Sequence, residues 1–223
     1  MKIRKISFSL LAVACLGSAQ AALLTEGFDS VAGLAGAGWV LTNNSVPAGN
    51  DWFQGNSGVF GSQAGAPGAY VGADFLSTSG INGVVDNWLI SPVLALGGGG
   101  TLTFFTRTAD PGFSDKLEVR FSAGGSASTA SFTTLLRTIG DAATPYPDTD
   151  WQTFSVTLPA QASGRFAFRY TVGDAINADY IGIDSVSVDA GVNSVPEPAG
   201  YALFGLGALA LVALGRRRSA ATA

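Results

Sequence analysis

The sequence contains no histidine, and its single cysteine, Cys15, lies near the start of the chain. Without histidine there can be no Ser-His-Asp triad, no histidine-bound zinc ion and no acid–base catalysis by imidazole. Glycosidases typically need two carboxylates across a cleft. Between residues 22 and 195 the only glutamates are Glu26 and Glu118, and the aspartates occur mostly in turn contexts. We therefore expect a non-enzymatic protein, and a secreted hydrolase of unrecognised type is the weaker alternative.

The first 21 residues have the pattern of a secretory signal peptide. Lys2, Arg4 and Lys5 precede the apolar stretch 6–16, and Ala19-Gln20-Ala21 forms a cleavage site of small residues. This order predicts a signal helix that enters the secretion translocon and is removed by signal peptidase after Ala21. A lipoprotein signal with Cys15 as the lipidated residue is the alternative, and it would leave the Ala-Gln-Ala site unused.

Basic residues are scarce between the two ends of the chain. Residues 22–195 carry six Lys and Arg against fifteen Asp and Glu, a formal charge of −9. Nucleic-acid binding needs clustered Lys and Arg, so this balance argues against it. The region has no cysteine and cannot form a disulfide bond, and its length suits one domain. We expect that domain to span residues 22–192.

The last part of the sequence has three features in a fixed order. The motif Val195-Pro196-Glu197-Pro198 is followed by the uncharged apolar stretch 199–215 and then by Arg216, Arg217 and Arg218. Seventeen helical residues reach roughly 25 Å, slightly less than a hydrocarbon core of about 30 Å. This pattern predicts a short single transmembrane helix whose arginines stay on the cytoplasmic side. The alternative is a buried core helix, which would need polar positions at helical spacing.

This ordered trio resembles the PEP-CTERM sorting signal of Gram-negative bacteria, here in residues 195–218. The resemblance implies recognition by exosortase, a membrane enzyme. It also implies that the body is periplasmic and anchored transiently in the inner membrane, and is later found at the cell surface or outside the cell. Carriers of this signal are typically exported in bacteria that make exopolysaccharide, so we expect an envelope or matrix protein associated with exopolysaccharide or biofilm. A GPI signal would not end in three arginines.

The body has the sequence pattern of an all-β domain. Apolar residues alternate with polar ones in several segments that are separated by turn residues. The predicted strands are 101–108, 116–122, 151–158, 165–172 and 180–188. Many short strands with such turns predict a jelly-roll-like antiparallel β-sandwich. In the last strand, Ile181 and Ile183 differ in parity from Val186 and Val188, which predicts a β-bulge near Asp184-Ser185.

Three short motifs in the body resemble the choice-of-anchor J family, which is similar to cleaved-adhesin and MAM-like jelly rolls. They are Glu26-Gly27-Phe28-Asp29, the longer Asp86-Asn87-Trp88-Leu89-Ile90-Ser91-Pro92, and Ile181-Gly182-Ile183-Asp184-Ser185-Val186. The resemblance covers residues 24–190. It implies that the first and last strands are neighbours and that a structural calcium ion lies between them.

The resemblance implies that Glu26, Asp29 and Asp184 are the calcium ligands, with Asp74 as a weaker fourth. Carboxylate oxygens are the ligands that Ca²⁺ prefers, and backbone carbonyls would complete the shell. The alternative is that Asp29 and Asp184 accept hydrogen bonds in a turn or bulge, while Glu26 is simply solvated. No other cofactor is expected.

Four aromatic residues in the glycine-rich first third suggest a second kind of site. Trp39, Trp52, Phe53 and Tyr70 could form a platform that stacks on sugar rings. The protein would then be a carbohydrate-binding or adhesin module, which is our alternative functional hypothesis. The competing interpretation is that these rings fill the sandwich core, and their exposure distinguishes the two.

Overall fold

The computed structural model describes residues 22–191. The predicted signal helix, the motif 195–198, the apolar stretch 199–215 and the arginine cluster lie outside the described residues. Within residues 22–191, no helix has the length and apolar character needed to cross a membrane.

Residues 22–191 fold into twelve strands and four short 3₁₀ helices. The strands are β1 (Ala22–Glu26), β2 (Val40–Asn43), β3 (Phe53–Gln54), β4 (Val71–Asp74), β5 (Val85–Ile90), β6 (Leu94–Leu96), β7 (Gly100–Thr108), β8 (Leu117–Ala123), β9 (Thr134–Ile139), β10 (Gln152–Leu158), β11 (Gln161–Val172) and β12 (Tyr180–Ala190). The 3₁₀ helices are Val31–Ala37, Phe75–Ser77, Thr129–Ser131 and Ala175–Asn177. The all-β prediction is confirmed.

The strands form two six-stranded antiparallel sheets. The first sheet has the order β10-β7-β12-β4-β3, with β1 paired to the second half of β12. The second has the order β2-β5-β11-β8-β9, with β6 paired to the start of β11. Consecutive strands often lie in opposite sheets, so the chain crosses the sandwich repeatedly, and the first and last strands are neighbours.

Alternating side chains from both sheets fill the core. Leu102 and Phe104 of β7 are buried, while Thr101 and Thr103 lie on the outer face. Phe104 meets Phe168 of the opposite sheet with ring centroids 4.8 Å apart. The period of two in the sequence therefore marks the inward face of each strand. All five predicted strands occur, with ends shifted by at most a few residues.

The last strand contains the predicted irregularity. The pairing between β12 and β7 changes register between Asp184 and Ser187. Ser185 adopts a left-handed backbone conformation with φ of 50°. This bulge lets Ile183 and Val186 both face the core despite their odd spacing, and the prediction of a β-bulge is confirmed.

Candidate functional site

An open cleft of about 430 Å³ lies at one end of the sandwich. Its walls come from the 3₁₀ helix Phe75–Ser77, the loop 78–83, Phe113 of the β7–β8 loop, and the 3₁₀ helix Ala175–Asn177. Large apolar side chains line it and remain exposed, including Ile81 (79% exposed) and Ile176 (57% exposed). Its volume falls in the usual range for ligand pockets, so we take it as the candidate binding site and call it the distal cleft.

Backbone hydrogen bonds between neighbouring loops fix the walls of the distal cleft. The amide of Phe75 donates to the carbonyl of Asp179 at 2.9 Å, and that of Ala175 donates to Gly83 at 2.8 Å. The two 3₁₀ helices of the cleft are each capped by an aspartate. Asp74 accepts a hydrogen bond from the Leu76 amide, and Asp174 accepts one from the Ile176 amide. The cleft is therefore preformed, and the caps turn Leu76 and Ile176 outward.

The electrostatic environment of the distal cleft is negative. Asp179 is its only charged lining residue, and neither Lys nor Arg is among the residues that line it. Burial, followed by the charges of Asp115 and Asp110, raises the pKa of Asp179. Burial also raises the pKa of Asp74, and Asp179 raises it further. In the described part of the chain, none of these four carboxylates forms a salt bridge. Their mutual repulsion favours a cation nearby.

The described part of the chain begins and ends at the opposite end of the sandwich. Ala22 of β1 pairs with Asp189 of β12, Ala190 pairs with Gly100, and the Gly191 amide donates to the Gly99 carbonyl at 2.8 Å. The first strand of the body and the end of its last strand are thus adjacent. The distal cleft adjoins the other end of β12, roughly 30 Å away at the rise of a β-strand.

Two of the three carboxylates implied as calcium ligands, those of Asp184 and Glu26, act as hydrogen-bond acceptors. Asp184 is fully buried, and its Oδ2 accepts from the amides of Gln63 at 2.8 Å and Ala64 at 3.1 Å. Its Oδ1 accepts from the Ser185 amide at 2.6 Å. Glu26 accepts from the Phe28 amide at 2.8 Å. Burial raises the pKa of Asp184, because the N–H groups compensate only in part.

This arrangement does not fit a calcium ion. N–H donors are already directed at both oxygens of Asp184, and they would repel a cation. Asp29 is exposed, and no group of three or more ligating side chains within residues 22–191 could hold a metal ion. Asp74, the weaker fourth candidate, caps a 3₁₀ helix instead. The geometry corresponds to the alternative of turn and bulge hydrogen bonds for Asp184.

The four aromatic residues that could have formed a sugar-binding platform are not exposed together. Trp39, Trp52 and Tyr70 are 2%, 3% and 0% exposed, respectively. Trp39 packs on Phe166 in the inter-sheet core, whereas Tyr70 stacks on Phe60 outside the first sheet. Phe53 is half-buried in that outer cluster. Burying a large aromatic ring lowers the free energy of the folded state, so these rings pack inside the protein. They do not form an exposed surface on which a sugar could stack, and the platform prediction is therefore wrong.

Comparison with known families decides the nature of the tail. Residues 194–218 match the model of the PEP-CTERM protein-sorting motif. The chain carries a PEP-CTERM sorting signal. Such a signal marks an extracellular protein that is processed by exosortase and sorted to the cell surface. No curated protein matches the sequence.

The body resembles cleaved adhesin domains of Lys-gingipain from Porphyromonas gingivalis W83. The K3 domain is 27% identical with a TM-score of 0.56, and the match covers 77% of this chain and 99% of that domain. The K1 domain is 27% identical with a TM-score of 0.57, covering 76% and 98%. The K2 domain, at 22% identity and a TM-score of 0.57, shares the fold. The cleaved-adhesin resemblance is confirmed, and the body fits an adhesin-like domain.

The longest motif of this adhesin-like domain is structural. Asp86 accepts hydrogen bonds from the indole of Trp88 at 2.7 Å and from Arg169 at 2.6 Å. Asn87 donates to Asn50 and to Ser77, which anchors the segment that leads into the distal cleft. These contacts of the motif therefore hold β5 in the second sheet.

Sequence reasoning missed the distal cleft. Its residues lie in segments without strand or helix periodicity, which suggested loops and nothing more. The only available signal was the placement of bulky apolar residues in loops, as at Phe75-Leu76, Ile81 and Ile176. Their convergence depends on loop packing that no local pattern encodes.

Proposed function

We propose that this protein is an exported, non-enzymatic component of the cell envelope or extracellular matrix that presents an adhesin-like sandwich to the outside. The observation that carries the proposal is the position of the distal cleft at the end of β12 opposite to Gly191. A body held or released through its tail exposes this cleft to its surroundings. The similarity to cleaved adhesin domains supports a binding role.

Export and processing both act at the other end of the body. Signal peptidase removes residues 1–21 after passage through the translocon, which leaves Ala22 as the first residue. The stretch 199–215 then holds the body briefly in the inner membrane, with the arginines 216–218 in the cytoplasm, until exosortase acts. Since β1 and β12 are neighbours, neither step disturbs the cleft.

A binding role agrees with the residues that this chain lacks. It has no histidine, and its only cysteine leaves with the signal peptide. Asp115, the carboxylate with the most partners near the cleft, is 2% exposed and therefore cannot reach a substrate. We propose a binding module rather than a hydrolase on these grounds.

Processing is tested in a bacterium that encodes exosortase and in its exosortase deletion strain. We expect a shorter, surface-associated or released protein in the parent strain and a longer, membrane-bound one in the deletion strain. Glu197→Ala should block conversion, whereas Asp150→Ala, which removes an exposed carboxylate of the body, should not. Equal processing of Glu197→Ala and wild type, or conversion without exosortase, would contradict the proposal.

Association with exopolysaccharide is the second part of the proposal and needs its own test. We expect the protein to sediment with the extracellular matrix of a polymer-producing strain and to be freely released by a mutant that lacks the polymer. A glycan array probed with residues 22–191 tests the carbohydrate-binding alternative directly. Because Trp39, Trp52 and Tyr70 are buried and Phe53 is half-buried, we expect no glycan binding that depends on stacking against these four rings.

A further inference from the structure

Exposed apolar side chains are concentrated around the distal cleft. Five of its lining residues are large hydrophobic residues at least 41% exposed: Phe75, Leu76, Ile81, Phe113 and Ile176. Val46 and Val84, which form an isolated bridge beside the same loop, are also exposed. Contiguous apolar surface of this kind marks an interaction site, because isolated exposed hydrophobic residues are usually scattered.

The backbone of the cleft walls is already fixed before the cleft is occupied. Its four wall segments are joined by the backbone bonds from Phe75 to Asp179, from Ala175 to Gly83 and from Ser114 to Asn177, the last at 2.7 Å. Fixed walls make insertion of an apolar side chain efficient, since little conformational entropy is lost. The cleft is built to accept a bulky side chain from outside.

The negative charge of the distal cleft favours some binding partners over others. Carboxylates lie in and beside the cleft, at Asp179, Asp74 and Asp110, and no basic residue lines it. A second copy of the body carries a formal charge of −9 and would be repelled. An apolar segment with flanking Lys or Arg gains both burial and attraction.

We propose that the distal cleft docks a segment of a partner protein in which large apolar residues are flanked by arginine or lysine. This inference rests on the proposed binding role of the sandwich and adds the chemistry of its partner. The apolar residues enter between the two 3₁₀ helices, and the basic residues lie against Asp179 and its acidic neighbours.

Three synthetic peptides of equal length test the proposal with residues 22–191, which contain both sheets and the whole core described above. The first has a Phe-Leu-Phe centre between pairs of arginine, the second the same centre between pairs of glutamate, and the third a Ser-Gly-Ser centre between pairs of arginine. We expect saturable binding of the first, and at least tenfold weaker binding of the other two. High salt should weaken the first complex.

Two variants place the binding at the cleft. Ile81→Ser/Ile176→Ser should weaken the first peptide at least tenfold, and Asp179→Asn should reduce its preference over the glutamate peptide. Leu135→Ser, which removes an exposed apolar side chain on β9, should leave both unchanged. All variants alter exposed or half-buried positions, and a thermal melt confirms that each one folds.

Several results would overturn the inference. Equal binding of the arginine and glutamate peptides would remove the charge argument, and equal effects of Leu135→Ser and the cleft variant would indicate non-specific adhesion. Concentration-dependent dimerisation that Ile81→Ser/Ile176→Ser abolishes would assign the cleft to a second copy. In each case, export and processing by exosortase would be unaffected, so failure of this inference is distinct from failure of the proposed function.

Discussion

The hydroxyl of Tyr170 donates a hydrogen bond of 2.6 Å to Oδ1 of Asp115, in the interior between the two sheets. The same oxygen accepts from the Asp179 amide at 2.9 Å, and Oδ2 accepts from the Thr108 hydroxyl at 2.7 Å. Asp115 thus ties β11 and β7 to the segment that borders the distal cleft. It has no salt bridge within residues 22–191, so hydrogen bonds alone compensate for its burial.

Replacing Asp115 separates the role of its shape from that of its charge. Asp115→Asn can keep the bonds from Tyr170 and Asp179 and donate to Thr108, so we expect its free energy of unfolding to stay within about 1 kcal/mol of wild type. Asp115→Leu leaves the Tyr170 hydroxyl and the Asp179 amide without an acceptor and should cost about 1–3 kcal/mol for each, whereas the Thr108 hydroxyl keeps its bond to the Tyr180 carbonyl. Urea unfolding of the two variants measures this, and similar losses for both would contradict it.

Burial raises the pKa of Asp115 above its usual value of 3.8, and the bonds from Asp179, Tyr170 and Thr108 oppose this only in part. The folded state therefore holds the proton more tightly than the unfolded chain. Stability contributed by the protonated group is present at low pH and is lost as the pH rises above 3.8 through the raised pKa. We expect the free energy of unfolding of wild type, relative to Asp115→Asn, to fall as the pH rises above 3.8. A constant difference would show that Asp115 titrates normally.

Asp184 holds the loop around Gln63 and Ala64 against the bulge of β12. Asp184→Ala would leave two or more amides without an acceptor and should lower the free energy of unfolding by about 2–4 kcal/mol. Asp189→Ala removes an exposed carboxylate five residues further along the same strand and should change it by less than about 0.5 kcal/mol. Faster hydrogen exchange at Gln63 and Ala64 in Asp184→Ala alone would complete the test, and equal losses in both variants would contradict this role.

Calcium should not stabilise the body, because amides already surround the carboxylate of Asp184. We expect thermal melts with millimolar CaCl₂ and with EDTA to coincide. An ion bound at a concentration a hundred times its dissociation constant would add about 2.7 kcal/mol and shift the midpoint by several degrees. Such a shift, specific to Ca²⁺ over Mg²⁺, would restore the site that the family resemblance implies at Glu26, Asp29 and Asp184.

Gly182 of β12 lies beneath the aromatic cluster on the outer face of the first sheet. A Cβ atom there would lie 2.8 Å from the ring of Trp151 and 2.9 Å from that of Phe60. Gly182→Ala should displace these rings, lower the free energy of unfolding by about 1–3 kcal/mol and shift the tryptophan fluorescence. Gly173→Ala, where no atom lies within 4 Å of the added group, is the control and should be nearly neutral. Equal stability of the two variants would contradict close packing at Gly182.

Local pattern predicted the strands well because inward and outward residues alternate along them. The odd spacing of Ile183 and Val186 even located the bulge, since both had to face the core. For the aromatic residues the sequence left two interpretations open, an exposed platform and a buried core. Trp39 and Tyr70 occur in glycine-rich segments that look like exposed loops, but the chain folds these segments back over each sheet and buries the rings. Only the tertiary contacts with Phe166 and Phe60 reveal this.

The sequence by itself determined the destination of the protein and its fold class. A contiguous motif such as residues 195–218 is read by other proteins as a linear address, and alternation is a local property of each strand. The tertiary structure alone decided where exposed apolar side chains converge into a cleft and which groups Asp184 contacts. Ile81, Phe113 and Ile176 are far apart in the chain and meet only because the loops pack together. Asp184 is satisfied by amides more than a hundred residues away, because long-range packing rather than local spacing determines which donors reach it.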